Sequence, residues 1–272
     1  MESIKELRVK LQTNVLGHPI LQRVLSIYLT RLFLITNVTA NQVSAAVLVV
    51  GALSAAAIFL GYIWLGFFLV YFSILLDAVD GEIARYRKTY SLRGVYLDLV
   101  NHLITHGLFF LALTFWVVEG LSDPLRQIVL ILGVLGAFSM SLRRANGDLH
   151  RVLFVHQYST HPELFTIPHV QSETKTATPI EPKTLTWIHS SVRLIRKAVY
   201  ASEYLAVMVI ILFLTFVSEI VFFPAVHNHP LLSVLIIAYA IVSFSYLLRE
   251  VINGYFSVEG RVAKVRDRFA SK

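Results

Sequence analysis

Six long apolar segments constrain the fold of this chain more than any other feature of its sequence. Each has about 20 residues, the length that an α-helix needs to cross the hydrocarbon core of a bilayer. Backbone in lipid must satisfy its hydrogen bonds internally, so these segments are expected to be helices. The sequence therefore predicts an all-α integral membrane protein with six transmembrane helices. They lie at about 41–61, 63–86, 92–117, 125–145, 203–223 and 231–253.

Composition agrees with a membrane protein and narrows its chemistry. Charged residues make up 15% of the chain, against about 25% in soluble domains. The absence of cysteine excludes disulfides, thiolate metal sites and a cysteine nucleophile. The net charge of +7 comes from basic residues around the apolar segments rather than on one soluble face. This distribution predicts anionic membrane lipids and phosphorylated substrates as partners, and no nucleic acid.

The positions of Lys and Arg predict the orientation. Of the 24 Lys and Arg residues, only Arg126 lies outside the N-terminal segment, the 85–93 link, the 143–197 segment and the C-terminal end. The positive-inside rule places these four regions in the cytoplasm. An even number of spans agrees with this, because it leaves both termini on one side. We expect an integral membrane location, in the cytoplasmic membrane if the protein is bacterial, with both termini cytoplasmic.

Residues 1–36 are predicted to be an N-terminal segment at the membrane interface. A first helix, at 2–15, carries an apolar stripe on one face. A second, at 20–35, is a little short to span the membrane, and shallow insertion is the alternative reading. The start of the chain lacks a short apolar core followed by a small-residue cleavage site, so no cleaved signal peptide is expected. The stripe consists of Ile4, Leu7, Leu11 and Val15.

Residues 37–255 are predicted to form a six-helix transmembrane domain, which is interrupted by one long cytoplasmic loop. The loop, at about 146–186, contains four prolines and little apolar periodicity. A loop of this length is either disordered or a lid over a site. Residues 187–200 look like a further basic interfacial helix, and residues 256–272 form a basic cytoplasmic tail.

A polar stretch from Asp77 to His102 joins the second and third predicted spans. Asp77 and Asp80 share one helical face, and Asp98 and His102 form a second single-face stripe. The link between the spans is short, so the two helices are antiparallel neighbours and both stripes lie at one membrane face. Ionisable groups at a membrane boundary are expensive unless they are paired or bind a ligand. Crowded carboxylates call for a cation, and oxygen ligands suit Mg²⁺, Ca²⁺ or Mn²⁺.

The same stretch resembles the signature of the CDP-alcohol phosphotransferase family, D-x2-D-G-x2-A-R-x8-G-x3-D-x3-D. Seven of the eight fixed positions match at the full spacing, and His102 stands where the family has its last Asp. Asn41 and Ser44 match the start of the preceding family helix, although Ala40 replaces the family's Pro. The matching signature positions are Asp77, Asp80, Gly81, Ala84, Arg85, Gly94 and Asp98.

The resemblance implies a metal-dependent transferase. Such an enzyme moves a substituted phosphate group from a CDP-linked donor to an acceptor alcohol and releases CMP, in phospholipid or lipid-linked glycan synthesis. It also implies two Mg²⁺ or Mn²⁺ ions, of which the second depends on the residue at position 102, and a homodimer. The implied metal ligands are Asp77, Asp80, Asp98 and His102. The implied nucleotide-binding residues are Asn41, Ser44, Gly81, Ala84, Arg85 and Gly94.

His102 has two possible roles in this scheme, since imidazole binds divalent metals and accepts protons near neutral pH. With Asp98 it is the implied catalytic pair, and loss of the second metal or of activity is the alternative. His106, one turn further, is expected to be a core residue or a support behind the ligands. Arg143 and Arg144 are either basic anchors at the cytoplasmic face or a clamp for a phosphate on the acceptor.

Three other readings remain open from the sequence alone. The first keeps the fold and metal site but uses a different nucleotide-activated donor. The second is a non-catalytic membrane scaffold or regulator of lipid metabolism, against which the three aligned aspartates argue. The third is a transporter, which the position of the aspartates at a helix–loop boundary and the lack of an inverted repeat disfavour.

Overall fold

A computed structural model describes residues 20–89, 91–160, 205–222 and 229–270, together with Ile4, Glu6, Leu7 and Leu11. These residues contain seven helices of at least 15 residues and no strand. The prediction of an all-α fold is confirmed. The helices are α1 (Ile20–Leu34), α2 (Ala40–Phe59), α3 (Ile63–Arg87), α4 (Leu92–Val118), α5 (Leu125–Thr160), α6 (Leu205–Phe222) and α7 (Pro230–Ala270).

Five of the helices contain stretches long and apolar enough to cross a membrane, so the chain is an integral membrane protein. The stretches are Ala40–Phe59, Ile63–Arg87, Leu92–Val118, Leu125–Arg143 and Pro230–Phe256. The fifth predicted span corresponds to α6, whose apolar part, Val207–Phe222, is shorter than the other five. The count of six spans therefore stays a prediction.

Two helices extend well beyond the spans predicted for them. α5 was expected to end near 145 but continues to Thr160, so the first part of the predicted loop 146–186 is helical. No Pro interrupts the chain between Pro124 and Pro162, and Leu149, Val152 and Leu153 recur at helical spacing. α7 similarly continues from the last predicted span through most of the basic tail. Residues 161–200 lie outside the described residues, and with them the rest of the predicted loop and the 187–200 helix.

The chain divides into two compact units. The first comprises Met1–Arg144 and Tyr204–Leu247, and it contains the whole acidic stretch. The second comprises Ala145–Glu203 and Leu248–Lys272; its described backbone is the helical end of α5 and the helical end of α7. The predicted division at 36 and 255 remains a prediction.

The first unit is held together by aromatic packing and by close helix contacts. Phe67 of α3 packs edge-on against Phe109 of α4, with ring centroids 5.7 Å apart, and stacks on Phe216 of α6 at 5.9 Å. Small residues bring backbones together, as expected for helices in a membrane. A Cβ built on Gly51 of α2 would lie 2.6 Å from the Thr105 side chain of α4. These contacts fix α2, α3 and α4 against one another.

The N-terminal helix α1 packs on α3 with its hydroxyl groups inward. Ser26 and Thr30 are fully buried, whereas Tyr28 and Leu32 are more than half exposed. An apolar outer face agrees with contact to lipid. The apolar stripe predicted at 2–15 was expected to face the membrane, but two of its residues pack inside the protein. Leu7 and Leu11 are buried in a cluster with Ile27 of α1. Val15 lies outside the described residues, and the interfacial placement of the segment stays a prediction.

The hairpin between α3 and α4 sets the position of the acidic stretch. α3 ends at Arg87, and its C-cap residue Lys88 is in the left-handed conformation with φ of 55°. α4 begins at Leu92, and the hydroxyl of the preceding residue, Ser91, caps the helix by accepting a hydrogen bond from the Gly94 N–H at 3.0 Å. The link is thus four residues long, and the end of α3 lies beside the start of α4.

Candidate metal centre

Asp77, Asp98 and His102 converge on one point between α3 and α4. Each contributes one possible ligand atom, and these atoms lie within 4.8 Å of one another. His102 Nε2 is 3.2 Å from Asp98 Oδ1 and 3.8 Å from Asp77 Oδ2. The sequence placed Asp77 on one stripe and Asp98 and His102 on another, and the hairpin brings the two stripes together.

Two further side chains support Asp77 from α4. Asn101, which is 5% exposed, donates from Nδ2 to Asp77 Oδ1 at 3.2 Å. Its own Oδ1 accepts a hydrogen bond from the Thr105 hydroxyl at 2.6 Å. This buried chain fixes the direction of the Asp77 carboxylate. Sequence reasoning missed both residues, although a buried polar side chain inside a membrane helix is itself a functional signal.

The chemistry of the three ligand atoms fits a divalent cation. At metal–ligand distances of about 2.0–2.2 Å, two ligands of one ion lie at most about 4.4 Å apart. Two of the three atom pairs, those that include His102 Nε2, are within that limit, and all three atoms lie within 4.8 Å of one another. The Asp98 side chain is 44% exposed and those of Asp77 and His102 about a fifth exposed, so the cluster is open on one side. Asp77, Asp98 and His102 could therefore hold a metal ion.

Asp80 is not one of these three residues. Its carboxylate Oδ2 accepts a hydrogen bond from the Ser44 hydroxyl of α2 at 2.6 Å. Ser44 is 5% exposed. The contact links the predicted ligand Asp80 to a residue predicted to bind nucleotide, and it ties the start of α2 to the end of α3.

Asn41, Ser91 and Gly94 meet where α2 begins beside α4. The Ser91 hydroxyl donates to Asn41 Oδ1 at 2.8 Å. A Cβ on Gly94 would lie 2.8 Å from the same Asn41 oxygen, closer than real Cβ contacts allow. Glycine at position 94 is therefore explained by the close approach of the Asn41 amide.

Gly81 differs from Gly94 in what surrounds it. The three atoms nearest to a Cβ built on Gly81 all belong to the guanidinium of Arg85, the closest at 3.1 Å. Arg85 is an exposed side chain one turn further along α3. Its flexible end can move away, so helix packing does not require glycine at position 81. Ala84, in contrast, packs beside Val43, Val79 and Ile83.

Of the two basic residues predicted at the end of the fourth span, only Arg143 has a described side chain. The Arg143 guanidinium lies over the ring of Tyr246, with Cζ 5.2 Å from the ring centroid, and its side chain is partly buried. The contact is a cation–π interaction. The backbone of Arg144 is helical, but its side chain lies outside the described residues.

Two charged residues in the acidic stretch bind neighbouring parts of the chain and do not belong to the metal cluster. Glu82 is 2% exposed and accepts hydrogen bonds from Ser26 and Thr30 of α1 at 2.9 Å and 2.5 Å. Arg87 donates to the carbonyls of Val38 and Thr36 at 2.6 Å and 2.7 Å. Both therefore fasten α1 and its connection to α2 onto the end of α3. Sequence reasoning assigned neither residue a role.

Comparison with known proteins gives one finding on the family. The family described as CDP-alcohol phosphatidyltransferase matches residues 37–244 of this chain, which is well over half of its length. The match contains every residue discussed above for the metal cluster and for the start of α2. No curated protein matches the chain.

Proposed function

The chain belongs to the CDP-alcohol phosphatidyltransferase family, and on that premise we propose that it transfers a substituted phosphate group from a CDP-linked donor to an alcohol. The family assignment made from the acidic stretch is confirmed, and with it the class of enzyme: a transferase that takes a phosphate-containing group from a CDP-alcohol. The convergence of Asp77, Asp98 and His102 at the matched signature carries the proposal further, because it supplies the cation site that a diphosphate donor needs.

The proposed reaction exchanges one phosphate ester bond for another. The acceptor hydroxyl oxygen forms a bond to the donor phosphorus that carries the alcohol. The bond from that phosphorus to the bridging oxygen breaks, CMP leaves with the bond's electrons, and the hydroxyl proton is lost. Either Asp98 or His102 is proposed to accept this proton.

The proposed metal ligands are Asp77, Asp98 and His102 for one ion, with Asp80 beside them for a second. A bound divalent ion supplies charge neutralisation for the diphosphate and for the leaving CMP. The chain's own part is to hold the carboxylates in place, and the Asn101–Thr105 chain supports this by fixing Asp77. Mg²⁺ and Mn²⁺ are the ions we propose.

The nucleotide is proposed to bind where α2 begins beside the end of α3. Three of the proposed nucleotide-binding residues make contacts in this region. Ser44 donates a hydrogen bond to Asp80, and Asn41 lies in close contact with Gly94. Asn41 also accepts a hydrogen bond from Ser91. Gly81 supports the proposal most directly, since its small size is not demanded by helix packing and leaves room for a ligand. Arg85, which is exposed beside it, is the proposed partner of a donor phosphate. Ala84 completes the proposed set.

The acceptor alcohol is proposed to bind on the side of Arg143. If the acceptor carries a phosphate, a partly buried guanidinium is a suitable partner for it. Membrane lipids, a homodimeric assembly and a cytoplasmic position of the site are parts of the same proposal.

A screen of radiolabelled CDP-alcohols and CDP-diacylglycerol tests the proposed function. The purified protein in nanodiscs is incubated with Mg²⁺ or Mn²⁺ and a panel of acceptors, and CMP release is measured. We expect acceptor-dependent CMP release that is lost in Asp77→Asn, a substitution that keeps the shape of the side chain. A folded protein that releases no CMP and binds no divalent metal would instead favour the scaffold reading. Acceptor-dependent release of another nucleotide would favour a different donor.

A further inference from the structure

The two nitrogen atoms of the His102 ring face different partners. Nε2 lies toward Asp98 and Asp77, at 3.2 Å and 3.8 Å. Nδ1 lies 3.3 Å from Nε2 of His106, one turn further along α4. The two rings are nearly perpendicular, with centroids 5.3 Å apart. His106 is partly buried, so this contact is sheltered inside the helix bundle.

One proton has to lie between the two histidines for the contact to be a hydrogen bond. If His106 donates it, Nδ1 of His102 is the acceptor, and a neutral His102 ring then carries its proton on Nε2. That form presents an N–H to the carboxylates and no lone pair to a cation. If His102 donates through Nδ1–H, its Nε2 lone pair points into the carboxylate cluster. Only the second form can bind a metal or accept a substrate proton.

We propose that His106 is a positioning residue that holds His102 in the Nδ1–H form, so that Nε2 binds a divalent metal together with Asp77 and Asp98. Histidines that bind metals usually donate their other ring N–H to an acceptor, which fixes the tautomer and the direction of the ring. His106 Nε2 is that acceptor. This inference rests on the proposed function, because it concerns the metal site used there.

The proposal also predicts which metals the site prefers. A cluster of carboxylates alone suits Mg²⁺ and Ca²⁺, whereas imidazole favours transition metals such as Co²⁺ and Zn²⁺. Replacing one carboxylate by Nε2 of His102 removes a negative charge and adds a softer ligand. The site therefore favours Mn²⁺ and Co²⁺ over Mg²⁺ more strongly than a site with Asp at position 102. With His102 engaged as a ligand, Asp98 is left to accept the hydroxyl proton.

Pulsed EPR of the Mn²⁺-loaded full chain tests this directly, because a coordinated imidazole gives ¹⁴N modulation and a carboxylate does not. We expect ¹⁴N modulation in the wild type and none in His102→Asp. Competition of Mg²⁺ and Co²⁺ against bound Mn²⁺ gives the relative affinities. The preference for Co²⁺ over Mg²⁺ should fall at least about tenfold in His102→Asp.

A matched pair of substitutions isolates the role of His106. His106→Gln keeps an acceptor, the amide oxygen, and should keep the ¹⁴N modulation and most of the Mn²⁺ affinity. His106→Leu fills similar space without an acceptor and should weaken Mn²⁺ binding about 10–100-fold. If the role of His106 is purely structural, the Mn²⁺ affinities of the two variants should follow their melting temperatures. A loss of Mn²⁺ affinity in His106→Leu without a matching fall in melting temperature supports the positioning role.

The outcomes separate this inference from the proposed function. Acceptor-dependent CMP release with Mn²⁺ bound through oxygen alone overturns the inference and leaves the function standing. Equal Mn²⁺ affinity in the wild type and His106→Leu also overturns it. A folded protein with neither CMP release nor Mn²⁺ binding overturns both.

Discussion

At the scale of single residues, Glu82 shows that an acidic side chain within a catalytic signature need not belong to the site. It lies two positions after Asp80 yet faces the opposite side of α3, where two buried hydroxyls of α1 donate to its carboxylate. The helical turn of about 100° per residue separates the two faces. Glu82 therefore holds α1 in place, while Asp77 and Asp80 of the same helix are the proposed metal ligands.

Glu82→Leu is expected to destabilise the protein by about 1–3 kcal/mol, because Ser26 and Thr30 lose a buried acceptor. The melting temperature in detergent measures this. Adding Ser26→Ala and Thr30→Ala to Glu82→Leu removes the two hydroxyls that donated to the lost carboxylate and should recover part of the lost stability. A triple variant no more stable than Glu82→Leu would contradict this explanation.

The two glycines of the signature predict different effects of an alanine substitution on the melting temperature. Gly94→Ala places a Cβ 2.8 Å from Asn41 Oδ1, so it should lower the melting temperature as well as activity. Gly81→Ala meets only the movable end of Arg85 and should leave the melting temperature within about 1–2 °C, the shift expected for a change near 0.5 kcal/mol. Its CMP release should nevertheless fall, because the methyl group occupies the space proposed for the nucleotide. Full activity in Gly81→Ala would argue against nucleotide binding there.

Helical periodicity and the short link predicted that Asp77, Asp80, Asp98 and His102 lie at one membrane face, and the family resemblance implied that all four bind metal. The structure brings Asp77, Asp98 and His102 together and leaves Asp80 outside that group. The bond from Ser44 to Asp80 could not be foreseen, because it depends on how closely α2 approaches α3. The Asn101–Thr105 chain was missed for the same reason, since it requires the contact of Gly51 with α4.

At the scale of helices, apolar length predicted where each span lies better than where each helix ends. α2, α3 and α4 begin and end within about two residues of the predicted bounds, because capping and turn residues lie at the ends of their apolar stretches. α5 and α7 end far beyond them. Hydropathy predicts the part of a helix that can lie in lipid, whereas the end of the helix depends on residues that disfavour helix. In α5 no Pro occurs between Pro124 and Pro162, and the helix continues to Thr160.

The connection between α1 and α2 is predicted to depend on the forked side chain of Arg87. Arg87→Gln removes the charge and part of the fork that binds the Val38 and Thr36 carbonyls. It should cost about 1–2 kcal/mol, a fall of a few degrees in melting temperature. Proteinase K should cleave the exposed 35–37 segment faster.

Arg87→Lys is the matched control for that experiment. It keeps the positive charge but cannot reproduce the planar fork. It should therefore resemble Arg87→Gln in protease sensitivity. Wild-type resistance in Arg87→Lys would mean that charge, rather than geometry, holds the connection.

At the scale of the whole molecule, the distribution of Lys and Arg predicts the orientation, and the lack of cysteine makes it easy to test. Thr89→Cys, in the α3–α4 link, and Ser122→Cys, between α4 and α5, each introduce the chain's single thiol at an exposed position. In intact cells an impermeant thiol reagent should label Ser122→Cys but not Thr89→Cys. Lysis should make both reactive. The reverse pattern in intact cells would place the acidic cluster on the outer side.

The hairpin described above also has a consequence for biogenesis. The proposed metal ligands and their supports all lie between Asn41 and His106, on three successive helices. The contacts that assemble them join residues 24 to 50 positions apart, and both partners of each contact lie within these three helices or their connections. Because domains emerge from the ribosome starting at the N-terminus, this part can take shape while α5, α6 and α7 are still being synthesised. The later helices then close around a centre that is already built.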